Sequence, residues 1–234
     1  MLSTGSVLAA AVLSAALTLG AAAPATAATG DRALARAGVL VQADFPDGWT
    51  STPRGKEDTS VDKIAKTIPT CRAYAAVEEQ AQGNTKAKSP EFVQGEDDQV
   101  ENTVSVYSSV AKATAAAAAV DQPRSTTCLR TLFRKVIDRS VASDKQAKAN
   151  ISSIDVVVTP LDVAPAGDDA FGFQLVVTVL AKDASSFELT LQAEFVRVGR
   201  VIDALTTQAS PPLDPTLLPS LVDASVGRIE AAGA

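Results

Sequence analysis

The sequence contains no histidine, few aromatic residues and only two cysteines among its 234 residues. Without histidine, the chain cannot form a Ser-His-Asp or Cys-His nucleophile arrangement. It also lacks imidazole as a metal ligand and as an acid or base near neutral pH. Any catalysis would therefore depend on carboxylates, Lys, Tyr or Ser. No glycine-rich phosphate loop, metal-binding tetrad or nucleophile elbow is present, so we expect no cofactor and no metal site.

The charge balance is acidic, with 27 Asp and Glu against 21 Lys and Arg and a formal net charge of −6. The sequence also has no long basic run. Binding to a nucleic-acid backbone or to an anionic membrane surface depends on clustered cations. We therefore expect no nucleic-acid partner.

Charged residues are absent from the first thirty positions, where an Ala-, Leu- and Val-rich run covers residues 7–23 and small residues surround position 26. This pattern predicts a secretory signal peptide over residues 1–28 and one mature domain over residues 29–234. No basic residue lies near Met1, which leaves open a start further upstream or a weak signal. A retained membrane anchor is the alternative, although the run is short and only mildly apolar for a membrane span. We expect a secreted chain without stable membrane insertion after processing.

The two cysteines are Cys71 and Cys128. An even number of cysteines in an exported chain favours a disulfide. Two free thiols are the alternative. A metal site is less favoured still, because two thiolates would need further ligands and no histidine can supply them.

Alternating apolar residues predict most of the sheet. Residues 100–108 alternate, and from Ile151 onwards four consecutive segments alternate with short links, which indicates an antiparallel meander. Helical spacing occurs at residues 110–120, at residues 126–140 and after Asp214. The sequence therefore predicts an α+β domain in which helices pack on one face of an antiparallel sheet, with one disulfide.

The only tryptophan follows a turn sequence, DFPDGW, at residues 44–49. Pro46 presets its backbone angle, Asp47 tolerates turn geometry and Gly48 can adopt a positive φ. We expect a turn here, with the indole of Trp49 folded onto the core.

Polar side chains alternate with the apolar ones along the second and third strands of the meander. Adjacent antiparallel strands place such side chains next to one another. They could form ordinary solvent surface, or they could line the floor of a cleft for a small ligand. The candidate ligand-binding residues are Gln174, Thr178, Glu188, Thr190, Gln192 and Glu194.

Other charged groups are weaker candidates. The pairs Asp97/Asp98 and Asp168/Asp169 lack the spacing of a calcium loop and occupy expected turns, so catalysis by either pair is not favoured. A set of basic residues on or beside one predicted helix indicates a solvated face, with phosphate binding or partner docking as alternatives. Those residues are Arg124, Arg130, Arg134, Lys135 and Arg139.

Several motifs, taken in order, resemble the actinobacterial extracytoplasmic sensor-domain family, best known as the external domain of PknH-type receptor kinases. They include DFPDGW, STTCLRTLF, PLDVAPAGDDAFGFQLVV, VRVGRVIDALT and DPTLLPSLVDASVGRI. The resemblance covers roughly residues 31–230. It implies a helix-and-sheet domain with a cleft, disulfide stabilisation and ligand sensing, and it transfers no catalytic residues. This chain departs from the kinase version, which is expected to have two disulfides, a kinase domain and an anchor.

Three functions follow as hypotheses. The preferred one is a secreted, non-enzymatic, sensor-like domain that binds a small molecule or a cell-envelope component. The alternative is a protein-interaction or wall-associated structural module without a small-molecule site. The third, a hydrolase that uses carboxylates, requires two acids with raised pKa values in one pocket.

Overall fold

The computed structural model describes residues 27–55, 60–72, 84–210 and 212–234. Most of the predicted signal peptide, residues 1–26, lies outside the described residues. So does most of the segment 71–82, for which the sequence also predicts a helix with residues 71, 74 and 75 near one face. The described helices are α1 (Ala27–Ala37), α2 (Ser60–Lys66), α3 (Val110–Val120), α4 (Pro123–Ser143), α5 (Lys145–Asn150) and α6 (Leu217–Ala231). The strands are β1 (Thr50–Thr52), β2 (Thr85–Lys88), β3 (Glu91–Gln94), β4 (Asp98–Val106), β5 (Ile151–Leu161), β6 (Asp169–Ala181), β7 (Ser186–Val198) and β8 (Val201–Ala209).

The eight strands form one sheet. Seven of them follow the order β1-β3-β4-β8-β7-β6-β5. The eighth, β2, pairs with the second half of β4, on the same edge of β4 that β3 pairs with at its first half. All pairings are antiparallel. The predicted meander is confirmed, because β5 to β8 pair consecutively. The β7–β8 turn is tight and passes through Gly199, whose φ of 55° is a conformation that glycine adopts at little cost.

Helices cover both faces of this sheet. On one, which we call the terminal-helix face, Val104, Val196 and Leu205 pack with Leu221 and Ile229 of α6 and with α1. On the opposite, central-helix face, α3 packs on Ile202, and Ile137 of α4 packs on β5, β6 and β7. The buried residues on this second face include Ala113, Ala117, Val156, Leu175 and Leu191.

The predicted α+β class, antiparallel sheet and disulfide are confirmed. The helices divide between two faces instead of occupying one. The physical reason is visible on β8, where the neighbouring residues Val201 and Ile202 point to opposite faces and are both buried. A strand with buried side chains on both faces must pack against other elements on both, so helices lie on each side of the sheet.

The DFPDGW segment forms the predicted turn, with Gly48 at a φ of 96°. Trp49 is buried, and the ring of Phe45 stacks on Phe92 with 4.1 Å between the ring centroids. Asp44 receives hydrogen bonds of 2.8 and 2.9 Å from the guanidinium of Arg228 on α6. The turn therefore joins the start of the sheet to the last helix.

The disulfide links Cys71, in a short 3-10 turn after α2, to Cys128 of α4. Both cysteines are buried in a small apolar cluster that joins the two helices. The other members of the cluster are Val61, Ile64, Ala65, Ile68, Leu132 and Val136. The bridge therefore holds α2 against the outer side of α4.

Two segments differ from the structure that their composition predicts. The polar residues 83–90 predict a loop, but Thr85–Lys88 form the edge strand β2. Lysines are common on edge strands because they discourage pairing with other chains, and they obscure the alternation here. Near residue 145, the polar sequence predicts a break between two halves of the domain, but the structure has the short helix α5. Its first turn is capped by Asp144 through hydrogen bonds from the backbone N–H groups of Gln146 and Ala147.

No helix in the described ranges is long and apolar enough to cross a lipid bilayer.

Candidate functional site

The part of the terminal-helix face formed by β5, β6 and β7 beyond α6 is open, and we call it the polar shelf. On β5, Ile154, Val156 and Val158 point to the central-helix face and are buried, whereas the residues 155, 157 and 159 on the other side are exposed. Val157 retains 43% of its surface. No element of the described chain therefore covers this side of β5.

All six candidate ligand-binding residues lie on the terminal-helix face. The register pairs Gln174 with Gln192 and Thr178 with Glu188 across β6 and β7. Thr190 and Glu194 occupy alternate positions of β7 between and beyond these pairs, so their side chains point the same way. The alternation in the sequence was sufficient for this grouping, and binding of a ligand to it stays a prediction.

The six side chains differ in burial. Glu188 is exposed and Gln174, Thr178 and Gln192 are half-buried, while Thr190 and Glu194 are both 5% exposed. The Nε2 atom of Gln192 donates a 3.1 Å hydrogen bond to the Oε1 atom of Gln174. This bond leaves the other amide NH₂ and the other amide oxygen of the pair for solvent or a ligand.

Glu194 lies at the inner end of the shelf, opposite Leu205 of β8 and Gly172 of β6. Gly172 is tightly enclosed: a Cβ there would lie 2.8 Å from the carbonyl oxygen of Ala193 and 3.1 Å from Val163. A glycine at this position lets the segment after β5 lie close to the sheet beside Glu194.

Burial raises the pKa of Glu194 to about 7, with smaller contributions from the negative charges of Asp203 and Asp223. The carboxyl therefore retains its proton to near-neutral pH. In its protonated form it donates a hydrogen bond as well as accepting one. A carboxyl that titrates near neutral pH therefore lies on the same face of the sheet as two neutral amides.

A buried polar network, which no motif in the sequence predicts, lies behind Glu194. The side chain of Asn102 on β4 donates to Asp203 of β8 and to the carbonyl oxygen of Gly38, each at 2.9 Å, and it accepts from the backbone N–H of Leu40 at 3.1 Å. The hydroxyl of Ser225 on α6 lies 2.5 Å from Asp203 and 2.7 Å from the oxygen of Gly38. The network joins β4, β8, α6 and the end of α1.

The number of hydrogen atoms available for donation in this network indicates which of its oxygen atoms can be paired. The hydroxyl of Ser225 has one hydrogen, but two oxygens lie within hydrogen-bond distance of it. Burial raises the pKa of Asp203 to about 6, against the opposing effect of the hydrogen bonds from Ser225 and Asn102. A protonated Asp203 can donate to Ser225, which then donates to Gly38. Every oxygen of the network then has a partner.

The network makes stability depend on pH in a defined direction. The folded-state pKa of Asp203, about 6, lies above its ordinary value of 3.8, so the folded chain holds a proton that the unfolded chain releases. The stability that this group contributes is complete below about pH 4 and is lost as pH rises through about 6, a loss on the order of 3 kcal/mol. We expect Asp203→Asn, which reproduces the protonated geometry, to remove this loss. Urea unfolding of both proteins across this range would measure it, and parallel stability curves would contradict it.

A second polar cluster lies on the central-helix face of β4. Arg54 forms a 2.7 Å ion pair with Glu101 and donates to the hydroxyl of Thr103 and the carbonyl oxygen of Asn102. Burial raises the pKa of Glu101 and lowers that of Lys88 to about 8. These side chains hold residues 53–55 against the sheet, and their engagement with one another indicates a structural role.

The two acidic pairs that the sequence offers as weaker candidates do not form an acid–base site. Asp168 and Asp169 both form ion pairs with Arg197, at 2.9 and 2.6 Å, and about half of each carboxylate side chain is exposed. Asp97 and Asp98 lie in and after the turn that joins β3 to β4. Both pairs therefore belong to turns at the ends of strands.

Glu194 and Asp203 are neighbouring acids with raised pKa values, which the hydrolase hypothesis requires. However, Asp203 is 3% exposed and both of its oxygens are hydrogen-bonded to other parts of the chain. Asp203 therefore belongs to the buried network, and Glu194 is the one of the two acids that lies on the polar shelf. Within the described residues, no three Asp, Glu or Cys side chains come together as a metal site.

Comparison with known proteins gives a weak likeness. No family model and no curated protein matches this chain. Among solved structures, the extracellular domain of PknH from Mycobacterium tuberculosis is similar, with a TM-score of 0.36 and 11% sequence identity over 78% of this chain and 100% of that chain. A likeness of this size assigns neither family nor ligand, so the chemistry of the shelf has to support any functional proposal.

Proposed function

We propose that this chain is a secreted, non-enzymatic, sensor-like domain whose polar shelf binds a small polar molecule or a polar component of the cell envelope. The observation that carries the proposal is the open shelf, where amide, hydroxyl and carboxyl groups lead to the buried Glu194. A buried disulfide supports the extracytoplasmic location, since such bonds persist mainly in oxidising compartments.

The groups on the shelf favour a ligand with hydroxyl, amide or amine groups. The paired amides of Gln174 and Gln192 each offer a free donor or acceptor, and the exposed side chain of Val157 supplies an apolar surface on the same face. Binding sites for small molecules commonly combine a few placed polar groups with apolar walls. Glu194 would bind either a hydroxyl group or, once ionised, an amine.

The arrangement of acids supports a role without catalysis. Apart from Glu194, the shelf carries Asp155 and Glu188, which lie in one row near its other end. Glu188 is six residues from Glu194 along β7, which corresponds to about 20 Å. This separation is too large for Glu188 and Glu194 to act on the same glycosidic bond, for which the carboxyl groups lie about 5 to 10 Å apart. Asp155 and Glu188 are two strand spacings apart, about 10 Å, but both are exposed, so neither has the apolar surroundings that a general acid requires.

A ligand panel of cell-wall fragments, lipids and metabolites, screened by thermal shift, tests the proposal. A ligand that binds only the folded state at about one hundred times its Kd stabilises that state by about 2.7 kcal/mol. We expect at least one polar ligand to raise Tm, and we expect Gln192→Ala to reduce that rise because it removes the central amide. Gln146→Ala is the matched control, since Gln146 is exposed on α5 away from the shelf.

The absence of a shift with every ligand class would contradict the proposal, as would a shift that Gln192→Ala leaves unchanged. An enzymatic role would instead be supported if a ligand from the panel were converted to a product and Glu194→Gln abolished the conversion.

The alternative, a protein-interaction or wall-associated module, has one observation in its favour. Leu180 is 38% exposed on the same face as Val157, so the outer shelf has an apolar component. Pull-down from envelope extracts, with Val157→Ser as the test variant, separates the two functions. A stable protein partner that is lost with Val157→Ser, but retained with Gln192→Ala, would favour the interaction module.

A further inference from the structure

A cavity lies on the opposite side of the molecule from the polar shelf, between α2 and the outer side of α4. It has a volume of about 420 Å³ and is lined by Lys63, Ile64, Thr67, Lys135 and Arg139. We call it the basic cleft. Lys63 and Thr67 form one wall, and Lys135 and Arg139, one helical turn apart on α4, form the other.

The three cations of the cleft have no carboxylate partner among the residues that the structure describes. Arg134, by contrast, is adjacent on α4 and forms a 3.0 Å ion pair with Asp138. Like charges separated by four helical positions, as at Lys135 and Arg139, destabilise a helix slightly. Three exposed cations without a described carboxylate partner therefore line one cavity in a chain with a net charge of −6.

The cleft is held in shape by the disulfide. Ile64 forms part of the lining, and its side chain is packed in the same apolar cluster as Cys71, Cys128 and Val136. This cluster fixes α2 against α4, so the two helices hold Lys63 on one side of the cleft and Lys135 and Arg139 on the other before any ligand arrives. Such preorganisation reduces the entropy cost of binding. The hydroxyl of Thr67 already donates to the carbonyl oxygen of Ile64 at 2.7 Å, so the cations would supply the recognition.

We propose that the basic cleft binds the phosphate group of a small phosphorylated molecule. The guanidinium of Arg139 matches two phosphate oxygens at once, while Lys63 and Lys135 act as point charges on either side. The volume is in the range of small-molecule sites. This site is separate from the polar shelf, and the two proposals fail independently.

Calorimetric titration with inorganic pyrophosphate and with glycerol phosphate, at constant ionic strength, tests the cleft. We expect saturable binding to the full domain, weakened at least about ten-fold by Lys135→Ala/Arg139→Ala. The control is Arg124→Ala/Arg130→Ala, which removes the same charge from exposed positions of the same helix outside the cleft. The control should bind as the unchanged protein does.

Equal weakening in both double variants would overturn the site, because it would reduce the effect to net charge. No saturable binding of either phosphate compound or of phospholipid vesicles would overturn it as well. Sedimentation with vesicles of phosphatidylglycerol identifies the source of the phosphate. Vesicle binding that depends on Lys135 and Arg139 assigns a lipid headgroup, and binding of the soluble compounds alone assigns a free phosphate ester. Unfolding of each variant, followed by circular dichroism, verifies that the fold is retained.

Discussion

Replacing Asn102 with alanine is expected to destabilise the domain by about 4 kcal/mol. Asn102 is fully buried, and its amide contacts three groups, two from the segment after α1 and one from β8. The substitution leaves the backbone N–H of Leu40 without its acceptor and removes a donor from the carboxyl of Asp203. Both groups are enclosed by the core, where an unpaired polar group costs about 1 to 3 kcal/mol.

Urea unfolding at neutral pH measures this effect as a lower transition midpoint. Asn150→Ala is the matched control, because Asn150 is exposed at the end of α5 and a surface change of this kind typically costs less than about 0.5 kcal/mol. Similar midpoints for Asn102→Ala and the control would show that the network contributes little. The same network connects α6 and β4 to the end of α1, since Ser225 and Asn102 share the carbonyl oxygen of Gly38.

The second large effect is expected from loss of the disulfide. Cys71 and Cys128 are 57 positions apart, and the chain-entropy model gives a stabilisation of about 4 kcal/mol for a loop of this length. We expect Cys71→Ala/Cys128→Ala to lose an amount of this order in urea unfolding. Adding a reductant should destabilise the unchanged protein and leave the double variant as it was.

Loss of the disulfide should also affect the two proposed sites differently. The basic cleft depends on α2 being held against α4, whereas the polar shelf lies on β5, β6 and β7 at the other face of the sheet. In the double variant, we expect phosphate binding to weaken and ligand binding at the shelf to persist wherever the domain stays folded. A double variant with unchanged stability would contradict the expected role of the bridge.

The meander could be predicted because a strand that buries only one of its faces has apolar residues at every second position. The same period is enough to place Gln174, Thr178, Glu188, Thr190, Gln192 and Glu194 on one face of the sheet. Strand β2 could not be predicted in this way, because its pairing with β4 depends on main-chain hydrogen bonds and its side chains are mostly polar.

Only two polar residues at otherwise apolar positions of the strand pattern indicate the buried network in the sequence. Asn102 lies between Val100 and Val104, and Asp203 lies between Val201 and Leu205, so both occupy positions where the alternation expects an apolar residue. A polar residue at such a position indicates a buried hydrogen-bonding partner, but not its identity. The partners of Asn102 come from β8 and from the segment that follows α1, and no local pattern relates these parts of the chain.

The sequence by itself determined the local periods, the acidic charge, the absence of imidazole chemistry and the two cysteines available for a bridge. These are properties of single segments or of composition, so they can be read without knowing which segments meet. Only the tertiary structure decided that the helices cover both faces, that β5 to β7 remain open beside α6, and that Lys63 faces Lys135 and Arg139. Those features depend on contacts between residues far apart in the chain, which form only when burial of the apolar faces brings their segments together.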